Sequence, residues 1–179
     1  RSSHEIALLR RMWDGPLLVK GVLAPEDASR AIALGADGIV VSNHGGRQLD
    51  GAIATMDALP GIVDAAGDKL TVLVDSGFRR GTDAVKALAL GAKGVILGRA
   101  PLYGVAAAGQ AGADRALAIL AEETARTMAL LGCGSVAELT PRFLRGAAPA
   151  AQMSSTSRGD SEREQHGVMC ALPAFSSSV

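Results

Sequence analysis

Aromatic residues are scarce: Phe, Trp and Tyr together make up 3% of the 179 residues. A core must therefore be assembled from Ala, Val, Leu and Ile, and the 48% hydrophobic fraction is ample for one globular domain. Charge of neither sign is in excess, since 18 basic residues face 18 acidic ones. That balance speaks against nucleic acid or an anionic membrane surface as partner. The only two cysteines, Cys133 and Cys170, have no metal-like spacing and suit a reduced, intracellular setting. No apolar run is long enough to span a bilayer, and the N-terminus does not resemble a signal peptide.

What the chain does have is alternation. Residues 3–13 read as an amphipathic helix with Ile6, Leu9 and Trp13 on one side, broken by Asp14-Gly15-Pro16. Apolar runs predict strands at 17–20, 38–42, 71–75 and 94–98. Pro25-Glu26-Asp27 opens a helix whose first-turn acids suit the helix dipole, and Gly35 ends it. Further helices are expected at 54–66, 82–90 and 114–131. The last of these carries Leu117, Leu120, Thr124, Met128 and Leu131 on one face, with Gly132 as its cap. An internal echo supports the scheme: Ala33-Leu34-Gly35-Ala36-Asp37-Gly38-Ile39-Val40 resembles Ala89-Leu90-Gly91-Ala92-Lys93-Gly94-Val95-Ile96. Continuously apolar strands between helices are the signature of a parallel sheet covered by helices.

From Gly146 the pattern is lost. Ser154-Ser155-Thr156-Ser157, the charged run 160–164 and Ser176-Ser177-Ser178 have no period, so 146–179 reads as a disordered tail behind a domain spanning 1–145. Four strand–helix units do not close a (β/α)₈ barrel, which needs about 250 residues. The pattern fits a small open sheet or the second half of a barrel.

The strand ends carry polar groups in a row: Lys20, then Ser42 with His44 and Arg47, then Asp75 with Arg79, then Gly98-Arg99. In (β/α) proteins that edge is where ligands bind. Taken singly, each residue has a plain explanation, because lysines, arginines and loop histidines are mostly solvated surface groups. Their shared edge is what gives them weight. Histidine takes up a proton near neutral pH. Arginine grips a carboxylate with two bonds. A site that holds a small acid and removes a proton follows. The loop Asp75-Ser76-Gly77-Phe78-Arg79-Arg80-Gly81 leads into a helix and neighbours Gly98-Arg99, a set of backbone donors and cations suited to a phosphate.

These strings resemble a known family. Leu18-Val19-Lys20-Gly21, Ser42-Asn43-His44-Gly45-Gly46-Arg47-Gln48-Leu49-Asp50, Asp75-Ser76-Gly77-Phe78-Arg79-Arg80-Gly81 and Gly98-Arg99 are similar to the FMN-dependent 2-hydroxy-acid dehydrogenases and oxidases. That family includes glycolate oxidase and the flavin-type lactate and mandelate dehydrogenases. The likeness runs in order from Trp13 to Leu144, and the nine-residue histidine string is its most specific part. It implies the C-terminal half of a TIM (β/α)₈ barrel, FMN as cofactor, and oxidation of a small (S)-2-hydroxy acid to the 2-oxo acid.

By resemblance, His44 is the catalytic base and Arg47 clamps the substrate carboxylate. Lys20 stabilises the negative charge of reduced flavin, and Ser42 also contacts the flavin. Asp75, Ser76, Gly77, Phe78 and Arg79 line the ribityl and phosphate path, which Gly98 and Arg99 complete. The resemblance further implies a homo-oligomer in the full-length form and a cytoplasmic location, with peripheral membrane association through an upstream region. No residue names the electron acceptor. In the family about half the barrel precedes the lysine strand and supplies a substrate tyrosine and an aspartate that orients the histidine. The chain accordingly reads as truncated. Two rivals stand beside this reading: a non-catalytic half-barrel that binds FMN or phosphate, and a flavin-free barrel enzyme acting on a phosphorylated substrate.

Overall fold

A computed structural model describes residues 3–145 together with 169–170. Helix α1 (Ser3–Met12) precedes four strands, β1 (Leu18–Val22), β2 (Gly38–Val41), β3 (Thr71–Val74) and β4 (Gly94–Val95). Between them run α2 (Pro25–Ala33), α3 (Thr55–Ala66) and α4 (Gly81–Ala89), and α5 (Arg99–Leu130) follows β4. All four strands pair in parallel in chain order, β1-β2-β3-β4. Sequential parallel strands joined by helices are the repeating unit of a (β/α)₈ barrel, and four of them make half of one.

The helix ends explain why the echo was legible. Gly35 and Gly91 have positive φ, 76° and 105°, a conformation that glycine adopts without a steric penalty. In both copies the glycine N–H bonds back three residues, Gly35 to Ile32 and Gly91 to Leu88, each at 3.0 Å. The next N–H reaches back five, Ala36 to Ala31 and Ala92 to Ala87. The pattern recurs after α5, where Cys133 N–H bonds Met128 at 2.9 Å. These are helix stops that satisfy the last carbonyls and release the chain toward the next segment.

Burial follows strand position. Central β2 is buried along its whole length, whereas edge strand β1 alternates and short β4 is only half-buried. Ile39, Val41, Val72 and Val74 point to one face and pack with Leu59 and Ile62 of α3. A second cluster gathers Val85 and Ala89 of α4 with Leu131, Cys133, Leu139 and Leu144. Helices α2 and α3 lie side by side, as do α4 and α5.

Three expectations are corrected. The strand predicted at 94–98 is only Gly94–Val95. The helix predicted from Asp114 begins at Arg99 and is broken at Ala108–Gly109 into two limbs, 99–107 and 110–130. The limbs meet where Gly104 and Gly112 touch: a Cβ on Gly104 would lie 2.3 Å from the Gly112 carbonyl oxygen. Of the apolar faces expected, Leu117 is 46% exposed and Trp13 56%. The tail expected at 146–179 lies outside the described residues except for β6 (Met169–Cys170), which pairs antiparallel with β5 (Leu144–Arg145).

Candidate active site

Register puts the strand ends together. Val41 pairs with Val74, and Val74 with Val95, so the loops after β2, β3 and β4 leave the sheet at one edge. A cleft of about 790 Å³ opens there. It is lined by Lys20, His44, Arg47, Asp75, Ser76, Gly77, Phe78, Arg79, Gly98 and Arg99. Every expected site residue but one is therefore at its wall.

The exception is Ser42. It is fully buried and does not line the cleft. Its Oγ accepts from Lys20 Nζ at 2.7 Å and from the His44 N–H at 3.1 Å. It sits beneath the cleft wall and holds two residues that form it. Phe78 is shared differently: at 7% exposed it belongs to the hydrophobic core while still reaching the wall.

Lys20 lies between Ser42 and Asp75, and its ammonium is paired with Asp75 Oδ2. Burial pushes the Asp75 carboxyl up. Hydrogen bonds from Lys20, Ser42 and Ser76, with the lysine charge, outweigh that and hold it below the ordinary carboxylate range. Thr55, buried at the start of α3, donates to the Asp75 carbonyl at 2.8 Å. The carboxylate is thus fixed from the backbone as well as from its side chain.

Two non-glycine residues among those described have positive φ, His44 at 55° and Ser76 at 77°. Both line the cleft. Such backbone costs about 1–3 kcal/mol per residue and persists only where the surroundings over-determine it. Here they do. Ser76 Oγ donates to Asp75 Oδ1 at 2.7 Å and accepts the Gly45 N–H at 3.0 Å. Arg99 donates to the Gly45 carbonyl at 3.1 Å. Gly45 therefore joins the β2 loop to the loops after both β3 and β4. The His44 ring rests on Gly21: a Cβ added at Gly21 would lie 3.0 Å from His44 Nε2.

The two helix starts at this edge differ. At α4 the N–H groups of Arg79 and Arg80 bond Asp83 Oδ2, and that of Gly81 bonds Glu123 Oε2. Arg80 turns to Glu123 in an ion pair and does not line the cleft. At α5, Gly98 makes no side-chain capping bond and no acid stands in the first turn. The start of α5 is thus left uncapped by any side chain and lies at the cleft wall beside Arg79 and Arg99.

Gln48, Ile96, Ala100 and Tyr103 also line the cleft and were not singled out from sequence. Gln48 lay inside the histidine string. Ala100 and Tyr103 follow once α5 starts at Arg99, which the strand–helix alternation itself would have placed.

The family model described as FMN-dependent dehydrogenase matches residues 2–146. An L-lactate dehydrogenase of Azorhizobium caulinodans is 55% identical over 145 residues, covering 81% of this chain and 38% of that protein. The (S)-mandelate dehydrogenase of Pseudomonas putida is 55% identical over 137 residues, covering 76% and 34%. A crystal structure of (S)-mandelate dehydrogenase, described as a monotopic membrane protein, superposes with a TM-score of 0.78 at 52% identity, covering 81% of this chain and 38% of that one. The chain spans less than two fifths of the length of each of these relatives. By strand order, site and sequence, it belongs to the FMN-dependent dehydrogenase family.

Proposed function

We propose that this chain supplies the base and the phosphate-binding side of an FMN site in which a small (S)-2-hydroxy acid is oxidised to its 2-oxo acid. The supporting observation is that His44, Arg47, Lys20, Arg79 and Arg99 line a single cleft. Its size lies within the usual range for small-molecule sites.

The residues present fit the cofactor. The open start of α5, with Arg79 and Arg99, offers backbone donors and two cations for the phosphate. Gly77 has no Cβ to crowd the path past Asp75 and Ser76. Lys20, anchored by Ser42 and Asp75, presents a positive charge for the ring system. FMN held there supplies a two-electron acceptor for the α-carbon of the hydroxy acid.

The remaining chemistry belongs to the chain. Arg47 grips the substrate carboxylate and so orients the hydroxyl-bearing carbon toward His44. His44 takes a proton from the substrate as general base. Its left-handed backbone, whose N–H is held by Ser42 Oγ, sets the ring against Gly21 with a side left open to solvent. The full-length protein is read as a cytoplasmic homo-oligomer. No helix among the described residues is long and apolar enough to cross a membrane.

The test joins this chain to the remaining barrel of a family member and assays lactate, glycolate and mandelate. His44→Ala is expected to lower turnover about 10²–10⁴-fold with little change in substrate affinity. Arg47→Ala should damage both. A His44→Ala protein that turns over at the parent rate would remove His44 from the chemistry.

A further inference from the structure

Glu123 lies 42 residues beyond Gly81 in the chain, on the second limb of α5, yet it contacts the loop that forms one wall of the cleft. Its carboxylate accepts from Arg80 Nε at 3.0 Å through both oxygens and lies 2.9 Å from a terminal guanidinium nitrogen. The same carboxylate takes the Gly81 N–H at 2.8 Å. The carboxylate is well covered, with its side chain 21% exposed, whereas that of Arg80 is 70% exposed. At this point the backbones almost touch. A Cβ on Gly81 would lie 2.2 Å from the Thr124 nitrogen and 2.5 Å from the Glu123 carbonyl carbon. Only glycine allows that approach.

The first limb of α5 lines the cleft through Arg99, Ala100 and Tyr103. The second limb holds the loop after β3 through Glu123. One broken helix thus grips both sides of the phosphate end. With Asp83 bonded to the N–H groups of Arg79 and Arg80, the start of α4 is closed to any anion in the cleft. What that loop can still offer is Gly77 and the Arg79 side chain.

We infer that Glu123 is a positioning residue: it fixes the Ser76–Arg79 loop against α5 and thereby sets the phosphate end of the cleft. The inference rests on the FMN reading of the cleft but is separable from it. Sign distinguishes positioning from simple charge. Glu123 is an anion near an anion-binding end. If its charge alone mattered, removing it would tighten FMN. If it positions the loop, removing it weakens FMN.

The test uses the whole 179-residue chain as wild type, Glu123→Gln and Arg80→Gln. Amide hydrogen exchange is followed without ligand, and FMN and riboflavin are titrated by fluorescence. Glu123→Gln is expected to speed exchange at residues 76–81 about tenfold or more while β2 and β3 stay protected. FMN affinity should fall by about fivefold or more, and riboflavin, which lacks the phosphate, by less than about twofold. Arg80→Gln breaks the ion pair but spares the Gly81 bond, so it should shift the same amides less. It serves alone if Glu123→Gln does not fold. Unchanged exchange at 76–81, or FMN bound as tightly or more tightly by Glu123→Gln, overturns the inference. If wild type binds neither flavin, the titrations are repeated with this chain joined to the remaining barrel; absence of binding there overturns the FMN reading, and exchange alone then decides the role of Glu123.

Discussion

The starts of α4 and α5 look alike on paper and behave differently in space. Each follows a parallel strand, and each brings arginine and glycine to the same edge of the sheet. At α4 the first N–H groups are taken by Asp83 and Glu123, and Arg80 is drawn off into an ion pair. At α5 the start is uncapped and opens into the cleft. The difference lies in two carboxylates. Asp83 sits in the first turn of α4, and Glu123 arrives from another helix. Glycine and arginine after a strand leave backbone donors open only where no carboxylate has claimed them first.

Steric substitution breaks the comparison most sharply. Gly81→Ala must push α4 away from α5, at a cost of about 3 kcal/mol in urea unfolding. Gly98→Ala meets nothing within 4 Å and should cost less than about 1 kcal/mol. Similar losses at both would show that the two starts are packed alike. Next in size is the phosphate. Arg99→Ala should weaken FMN binding about 10–100-fold, the range for a hydrogen bond to a charged group, and riboflavin far less. Equal loss for both flavins would mean that the arginine reads some other part of the molecule.

Asp83→Asn tests the closed start directly. Loss of the charged cap should cost about 1 kcal/mol of stability and loosen the first turn of α4. No change in midpoint would show that Glu123 closes that start unaided. The smallest effect concerns pH. The Asp75 carboxyl is held below its ordinary value, so its contribution is present above the unfolded value of about 3.9 and fades as pH falls through the folded one. Wild type should therefore exceed Asp75→Asn in stability above about pH 4 by less than about 1 kcal/mol, since Lys20 is half exposed. The two curves should converge at lower pH. A constant gap across the acid range would remove Asp75 ionisation as its source.

The parts of the fold that could be read in advance are those with two independent signals. Strand β2 is apolar throughout and β3 is apolar after Thr71, and α2 and α4 carry acids at the start and glycine stops at the end. The first limb of α5 has neither. Leu102, Tyr103 and Val105 are exposed and form no buried stripe; Gly109 does break the helix, and Gly104 and Gly112 look like further breakers until their mutual contact is seen. Strand β4, at the edge of the described sheet, is only two residues long.

At the site, the row of strand-end residues was visible because polar groups interrupt apolar runs. Which of them face the cleft was not. Ser42 belongs to the string that carried the resemblance, yet it is buried as a support. Arg80 stands next to Arg79 and turns the other way. Glu123 has no local signal at all, since its meaning depends on the close approach of two helices far apart in sequence.

The loop that carries His44 also shapes how the chain must find its native pairing. Partners in β1 and β2 are 20 residues apart, as in Leu18 and Gly38, and those in β3 and β4 are 21 apart, as in Leu73 and Gly94. Between β2 and β3 the separation rises to 33, as in Gly38 and Thr71, and the excess matches the stretch between Ser42 and Thr55. Closing the longer loop costs only about 0.4 kcal/mol more, because closure entropy grows with the logarithm of length. That is about a twofold difference in an equilibrium constant. A segment long enough to carry both His44 and Arg47 to the cleft is therefore a light burden on assembly. The same leniency leaves room for the segment to lengthen or be rewritten while the strands on either side keep their register.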